Sequence, residues 1–192
     1  MKTLLALLAI SCVFLSSCMK KEASGPSADQ MRIDSIRNYN MAGYKAVGEM
    51  FTSGKFDGLG KYMNETYIEH QMMPGQKPGL AGLKEMMAGF RMAFPDMKYT
   101  TDHIYADTDM IWAHFTMTGT NTGSFMGMPP TGKKFTASGM DLIKLDANHK
   151  AIEHWGYMDE HKMMQDLGMA PPDAAMPPPG GDAKMAPPEK KG

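Results

Sequence analysis

Two periods of apolar residues divide the chain. Leu80, Leu83, Met87, Phe90 and Phe94 recur at spacings of 3, 4, 3 and 4, the stripe that a helix turns toward a core. They predict a helix from about Gly79 to Phe94, closed by Pro95, which cannot continue it. An earlier helix is expected over residues 31–53, with Ile33, Ile36, Tyr44, Val47 and Phe51 near one stripe and Gly54 as its stop. A helical turn at 56–63 and a short strand over 66–70 fill the interval. Beyond Pro95 the period falls to two, the signature of strands with one buried face. Residues 97–106 alternate loosely. Ile111, Ala113, Phe115 and Met117 then share one face, and Trp112, His114 and Thr116 take the other. After a Gly/Pro-rich loop at 123–132, Phe135, Ala137, Gly139, Asp141, Ile143 and Leu145 alternate on one strand. Ile152, His154, Gly156 and Met158 do so on the next. A last helix at 159–167 stops at Gly168. Helices first and antiparallel strands afterwards predict an α+β domain, a curved sheet folded around a helical pair.

The two ends of the chain follow neither period. Lys2 precedes an apolar run from Leu4 to Leu15, and Ser16-Ser17-Cys18 follows it. A run this short is a targeting segment, not a membrane span. Leu15-Ser16-Ser17-Cys18 resembles the lipobox of bacterial lipoproteins, which implies a signal peptide over residues 1–17 and lipidation of Cys18. The alternative is an ordinary secretory signal cut near Ser17. Two or three acyl chains, at roughly 0.8 kcal/mol per buried methylene, would anchor a small domain to a bilayer. The expected location is therefore the cell envelope, with the outer membrane favoured because Met19 offers no inner-membrane retention signal. Residues 18–30 read as a tether and 31–169 as one domain. Residues 170–192, rich in Pro, Ala, Gly and Met, read as a tail unable to bury enough apolar area to order itself.

Composition narrows the chemistry. Cys12 and Cys18 are the only cysteines, so the domain holds no thiol for disulfides, nucleophilic attack or metal binding. A net charge of -1 gives no footprint for nucleic acid. The six histidines lack zinc-type spacing, and there is no Gly-x-Ser-x-Gly and no phosphate-cradling loop. No metal is expected at a hydrolytic site. All but one of the 23 methionines lie beyond Cys18, against six leucines. Met86, Met87, Met92 and Met117 sit in element interiors, where they are expected to replace leucine in the core. His70-Gln71-Met72-Met73, His161-Lys162-Met163-Met164 and Met126-Gly127-Met128 fit a core less well. Thioether and imidazole together suit Cu(I), so copper buffering is an alternative role.

The last hairpin carries the strongest chemical signal. If Ala147-Asn148 centre its turn, Asp141 faces His154 directly, on a sheet face otherwise apolar. A carboxylate and an imidazole there must satisfy each other or a ligand. They form either an ion pair that orders the hairpin or a pair poised for proton transfer. A three-residue loop would break that register. His70, at the end of its strand, is the next candidate.

Several segments fall in the order of one known family. They are Tyr67-Ile68-Glu69-His70, Phe94-Pro95-Asp96, Thr118-Gly119-Thr120, Pro129-Pro130-Thr131-Gly132-Lys133, Gly139-Met140-Asp141 and Ile152-Glu153-His154-Trp155. On these, residues from about Gly48 to Gly168 resemble the SnoaL-like polyketide cyclases, also called ester cyclases. The resemblance implies the cone-shaped nuclear-transport-factor-2-like fold, a strongly bent antiparallel sheet wrapped around N-terminal helices, with a deep apolar pocket. It implies acid/base catalysis of ring closure without metal or cofactor. Asp141 and His154 would be the acid and base, His70 would stand at the pocket mouth, and Trp155, Phe135 and Tyr157 would contact the ligand. Gly156 stands where related sequences often carry an aspartate. The implied partners are a small apolar organic molecule and, through the outer sheet face, a second copy of the chain. Such a pocket also serves a binding module that turns nothing over.

Overall fold

A computed structural model describes residues 25–169; residues 1–17, expected as a signal peptide, Cys18 and the expected tail from residue 170 lie outside the described residues. Helix α1 spans Ala28–Ser53, 26 residues. It starts within the stretch expected as tether because Ser27 caps it, accepting from the Gln30 backbone N–H at 3.2 Å. Asn40, Tyr44, Gly48 and Phe51 form its buried stripe, while Ile33 and Ile36 are only half-buried. Gly54, at φ 73°, ends the helix as expected. A 3-10 turn at Leu59–Lys61 leads into β1 (Met63–Glu69), and α2 follows at Gly79–Ala93.

Four further strands and one helix complete the domain: β2 (Lys98–Ala106), β3 (Met110–Thr120), β4 (Lys134–Leu145), β5 (Ala151–Met158) and α3 (Glu160–Leu167). The sheet order is β1-β5-β4-β3-β2. Consecutive strands β2 to β5 are antiparallel, but β1 joins the far edge parallel to β5, so the sheet is mixed. The reason is topological. The strand at that edge is the first in the chain and is joined to β5 by no hairpin, so the pairing is not bound to be antiparallel.

The alternation sorts the faces as expected. Ile111, Ala113, Phe115 and Met117 of β3, with Phe135, Ala137 and Leu145 of β4, are buried under the helices. Gly139 lets the Phe115 ring lie across the β4 backbone, since a Cβ there would fall 2.3 Å from its Cζ. Among the methionines, Met87 and Met117 are core, whereas Met92 is 73% exposed on the outer side of α2. Its helical position points away from the stripe of Leu83, Met87 and Phe90.

The β4–β5 hairpin departs from the expected register. Its loop is Ala147–His149, with Asp146 N–H donating to the Lys150 carbonyl at 2.9 Å. His149 takes the left-handed conformation at φ 61°. Asp146 stabilises this three-residue turn by accepting from the backbone N–H groups of Asn148 and Lys150 at 2.8 and 2.9 Å. A bulge between Lys144 and Leu145 adds to the shift. Asp141 therefore pairs with Gly156, and His154 pairs with Ile143.

Candidate active site

The shifted register still brings Asp141 and His154 together, by a diagonal route. Both project from the inner face, two positions apart across the ladder, and Gly156 opposite Asp141 has no side chain to fill the gap. His154 Nε2 lies 3.1 Å from Asp141 Oδ1. A Cβ on Gly156 would stand 2.8 Å from His154 Cε1 and 3.3 Å from Asp141 Oδ1. The glycine is thus what permits the contact.

The other nitrogen of His154, Nδ1, meets Glu69 Oε2 at 2.6 Å. Glu69 is held in turn by the Tyr67 hydroxyl, which donates to Oε2 at 3.3 Å, and by the Gln71 backbone N–H, which donates to Oε1 at 3.0 Å. On the other side, the Tyr44 and Tyr99 hydroxyls reach Asp141 Oδ2 at 2.7 and 2.8 Å, with 2.6 Å between the two phenol oxygens. A buried chain of groups therefore runs from Glu69 through His154 and Asp141 to two tyrosines. It is drawn from β1, β5, β4, α1 and β2.

Charge follows from these contacts. Burial alone would lower the His154 pKa, but carboxylates on both ring nitrogens outweigh it and raise the value to about 9. His154 is an imidazolium at neutral pH and donates from both nitrogens. Burial works to raise Glu69, yet the His154 hydrogen bond and charge hold its carboxyl below the usual range. Burial first, then the Asp141 charge, keeps both Tyr44 and Tyr99 protonated well above the ordinary phenol range.

These groups open onto a cavity of about 640 Å³ between the helices and the sheet. Phe51, Phe90, Tyr99 and Phe115 contribute aromatic wall, and ten methionines line it, among them Met72, Met126, Met158 and Met164. Most methionines that fitted the core poorly in sequence thus belong to the cavity wall or its mouth.

Of the residues singled out in the sequence, Asp141, His154 and Tyr157 line the cavity. Tyr157 is 59% exposed, and the Gln71 amide donates to its hydroxyl at 3.3 Å. His70 and Trp155 lie on the outer face instead, stacked with ring centroids 4.2 Å apart and planes within 4°. His70 also contacts Glu153 at 3.1 Å. The parallel pairing of β1 with β5 turns His70 away from the interior and Glu69 toward it. Phe135 is core, packed on Phe94 at 4.8 Å between centroids, and does not reach the cavity. Glu69, Tyr44 and Tyr99 complete the site without standing out as chemistry in the sequence. Period two from buried Tyr67 points to Glu69, and Tyr44 lay within the helical stripe but read as core. Tyr99 left no signal in its loosely alternating strand.

A bent α+β sheet around a polar-ended apolar cavity defines a nuclear-transport-factor-2-like domain. Residues 42–167 match the family model described as SnoaL-like polyketide cyclase, and the chain belongs to that family. Solved structures share the fold. TsrD from Streptomyces laurentii superposes with a TM-score of 0.61 at 20% identity, covering 69% of this chain and 95% of its own. IdmH from Streptomyces antibioticus gives 0.57 at 24%, covering 67% and 98%. A SnoaL-like polyketide cyclase from Agrobacterium tumefaciens gives 0.56 at 19%, covering 67% and 98%. Among curated proteins, none matches this chain.

Proposed function

We propose that the domain binds a small apolar carbonyl compound and moves a proton on it without a cofactor, as in cyclisation or isomerisation of a polyketide- or ester-like molecule. The observation that carries this reading is the buried run Glu69–His154–Asp141–Tyr44/Tyr99 at the polar end of the cavity. A substrate carbonyl oxygen takes the two tyrosine hydroxyls, which releases Asp141 Oδ2 to accept a proton from the carbon beside that carbonyl. The developing enolate is stabilised by the two preoriented hydroxyls. The His154 imidazolium, anchored by Glu69, holds Asp141 in place through Oδ1 and offsets its charge. Asp141 then returns the proton to the new alkoxide or to carbon. The methionine-rich wall supports a ligand of irregular apolar shape.

The test is deuterium uptake from solvent at the acidic carbon of a naphthyl β-keto ester, followed by NMR. Uptake above the buffer rate that Asp141→Asn abolishes, with the fold intact, supports the reading. Unchanged uptake in that variant refutes it, and tight binding without uptake leaves a binding module.

Location and assembly belong to the same proposal. Anchoring through Cys18 is supported by the Leu15–Cys18 motif, and among the described residues no helix is long and apolar enough to cross a membrane. Radiolabelled palmitate in the wild-type protein but not in Cys18→Ala is the expected result. A homodimer is supported by the outer face, where Tyr105, Trp112, Leu142 and Trp155 are register neighbours in one row across four strands. Sedimentation should show a dimer that Trp112→Lys dissociates.

A further inference from the structure

At the cavity end nearest the β4–β5 turn stand two polar atoms that the proton-transfer chain does not use. Asn40 is 3% exposed, and its amide nitrogen is committed twice, to the carbonyls of Asp107 and Thr108 at 2.9 and 3.2 Å. Those bonds fix the orientation of the amide and leave its Oδ1 buried without a partner among the described residues. His149 Nδ1 is buried and unpartnered in the same way. Both residues line the cavity. An orphaned buried carbonyl or ring nitrogen is costly, by an amount comparable to a lost hydrogen bond, and native proteins satisfy nearly all of them. His149 also holds a left-handed backbone at φ 61°, which glycine or asparagine would adopt more easily.

The position relative to the reacting end follows from the elements. Asn40 precedes Tyr44 by four residues on α1, about 6 Å along the axis. His149 lies past Leu145, itself four strand residues or about 13 Å from Asp141. Ile143 and Leu145 form apolar wall between the two polar ends.

The charge of the wall limits what can occupy it. Among the described residues, Glu69, Asp141 and Glu160 line the cavity, and no lysine or arginine does. His154 is already shared between two of those carboxylates. An anionic ligand would be desolvated with no cation to receive it.

We propose that Asn40 and His149 form a second polar subsite, which takes a hydroxyl or amine at the far end of an uncharged or cationic ligand and rejects carboxylates. This rests on the reading of the cavity as a binding site for a carbonyl compound. It adds that the compound carries a hydrogen-bond donor across an apolar span from that carbonyl. The His149 ring meets Tyr39, the residue before Asn40, edge-on at 5.5 Å, which keeps the two side chains at one end of the cavity.

The experiment titrates the full-length protein with 2-acetylnaphthalenes bearing hydrogen, hydroxyl, amine or carboxylate at position 6, read by calorimetry. The hydroxyl and amine probes are expected to bind at least five-fold tighter than the unsubstituted one, and the carboxylate at least ten-fold weaker. His149→Gly, which suits the left-handed turn, and Asn40→Leu should each bring the hydroxyl-to-hydrogen ratio toward one. Asp141→Asn should leave that ratio intact. A ratio unchanged in His149→Gly, or a carboxylate that binds best, overturns the subsite while leaving the proton-transfer reading standing. Failure of all four probes to bind overturns the cavity reading and the subsite with it.

Discussion

His154 makes the stability of this domain depend on pH in a way its surface charges do not. Folding moves the imidazole from an ordinary pKa of 6.5 to about 9. Between those values the native state holds a proton that the unfolded chain has released. Stability from this group is therefore complete below pH 6.5 and falls as pH rises toward 9. At about 1.4 kcal/mol for each tenfold in proton affinity, the full loss comes to about 3 kcal/mol, an upper value because the carboxylates relax once the imidazole is neutral. For a domain of this size that is a large fraction of the total. Urea unfolding measured at half-unit steps from pH 6 to pH 9.5 reads the slope, and the His154 ring Hε1 resonance reads the titration. Asp141→Asn should flatten the slope and bring the titration down toward 6.5. A wild-type stability constant from pH 6.5 to 9, or a His154 resonance that titrates near 6.5, would falsify the charge assignment on which the mechanism stands.

Other perturbations follow from the same geometry. Gly156→Ala places a methyl 2.8 Å from His154 Cε1; the ring must swing away, proton-transfer activity should drop more than ten-fold, and the melting temperature should fall because the buried Asp141–His154 pair is lost. An active Gly156→Ala variant would show that the Asp141–His154 contact is dispensable. Glu69→Gln keeps the shape but removes one of the two charges raising His154; its titration should shift downward, checked by the same NMR resonance. Asn121, fully buried, accepts from Thr131 N–H at 2.8 Å and donates to the Gly123 carbonyl at 2.8 Å. Asn121→Ala should cost about 2–3 kcal/mol in urea unfolding by orphaning buried backbone groups, whereas a loss under 0.5 kcal/mol would mean that water replaces the amide.

The periods in the sequence determined the elements. The 3–4 spacing of Leu80 to Phe94 and the alternation of Ile111 to Met117 each define which face meets the core, because that geometry is local to a helix or a strand. Asp141 and His154 were legible for the same reason: each is a polar residue on an apolar face, and that cost needs an explanation. Which residues surround them was a matter of tertiary structure. The three-residue turn at Ala147–His149 and the bulge beside Leu145 each moved the register by one in its sum, and only Gly156, read in sequence as a missing aspartate, let the pair meet diagonally. Glu69 took its place on the imidazole because β1 crosses to the far edge and runs parallel to β5, a pairing between segments more than 80 residues apart that no local period encodes. Tyr44 and Tyr99 are 55 residues apart on a helix and a strand, and share Asp141 Oδ2 only once α1 lies across the sheet. His70, the next candidate by its strand-end position, is put on the outer face by the same parallel pairing, where it stacks on Trp155, the neighbour of His154 that alternation on β5 turns outward. Local periodicity fixes which way a side chain points from its own element; long-range strand pairing decides what it meets there.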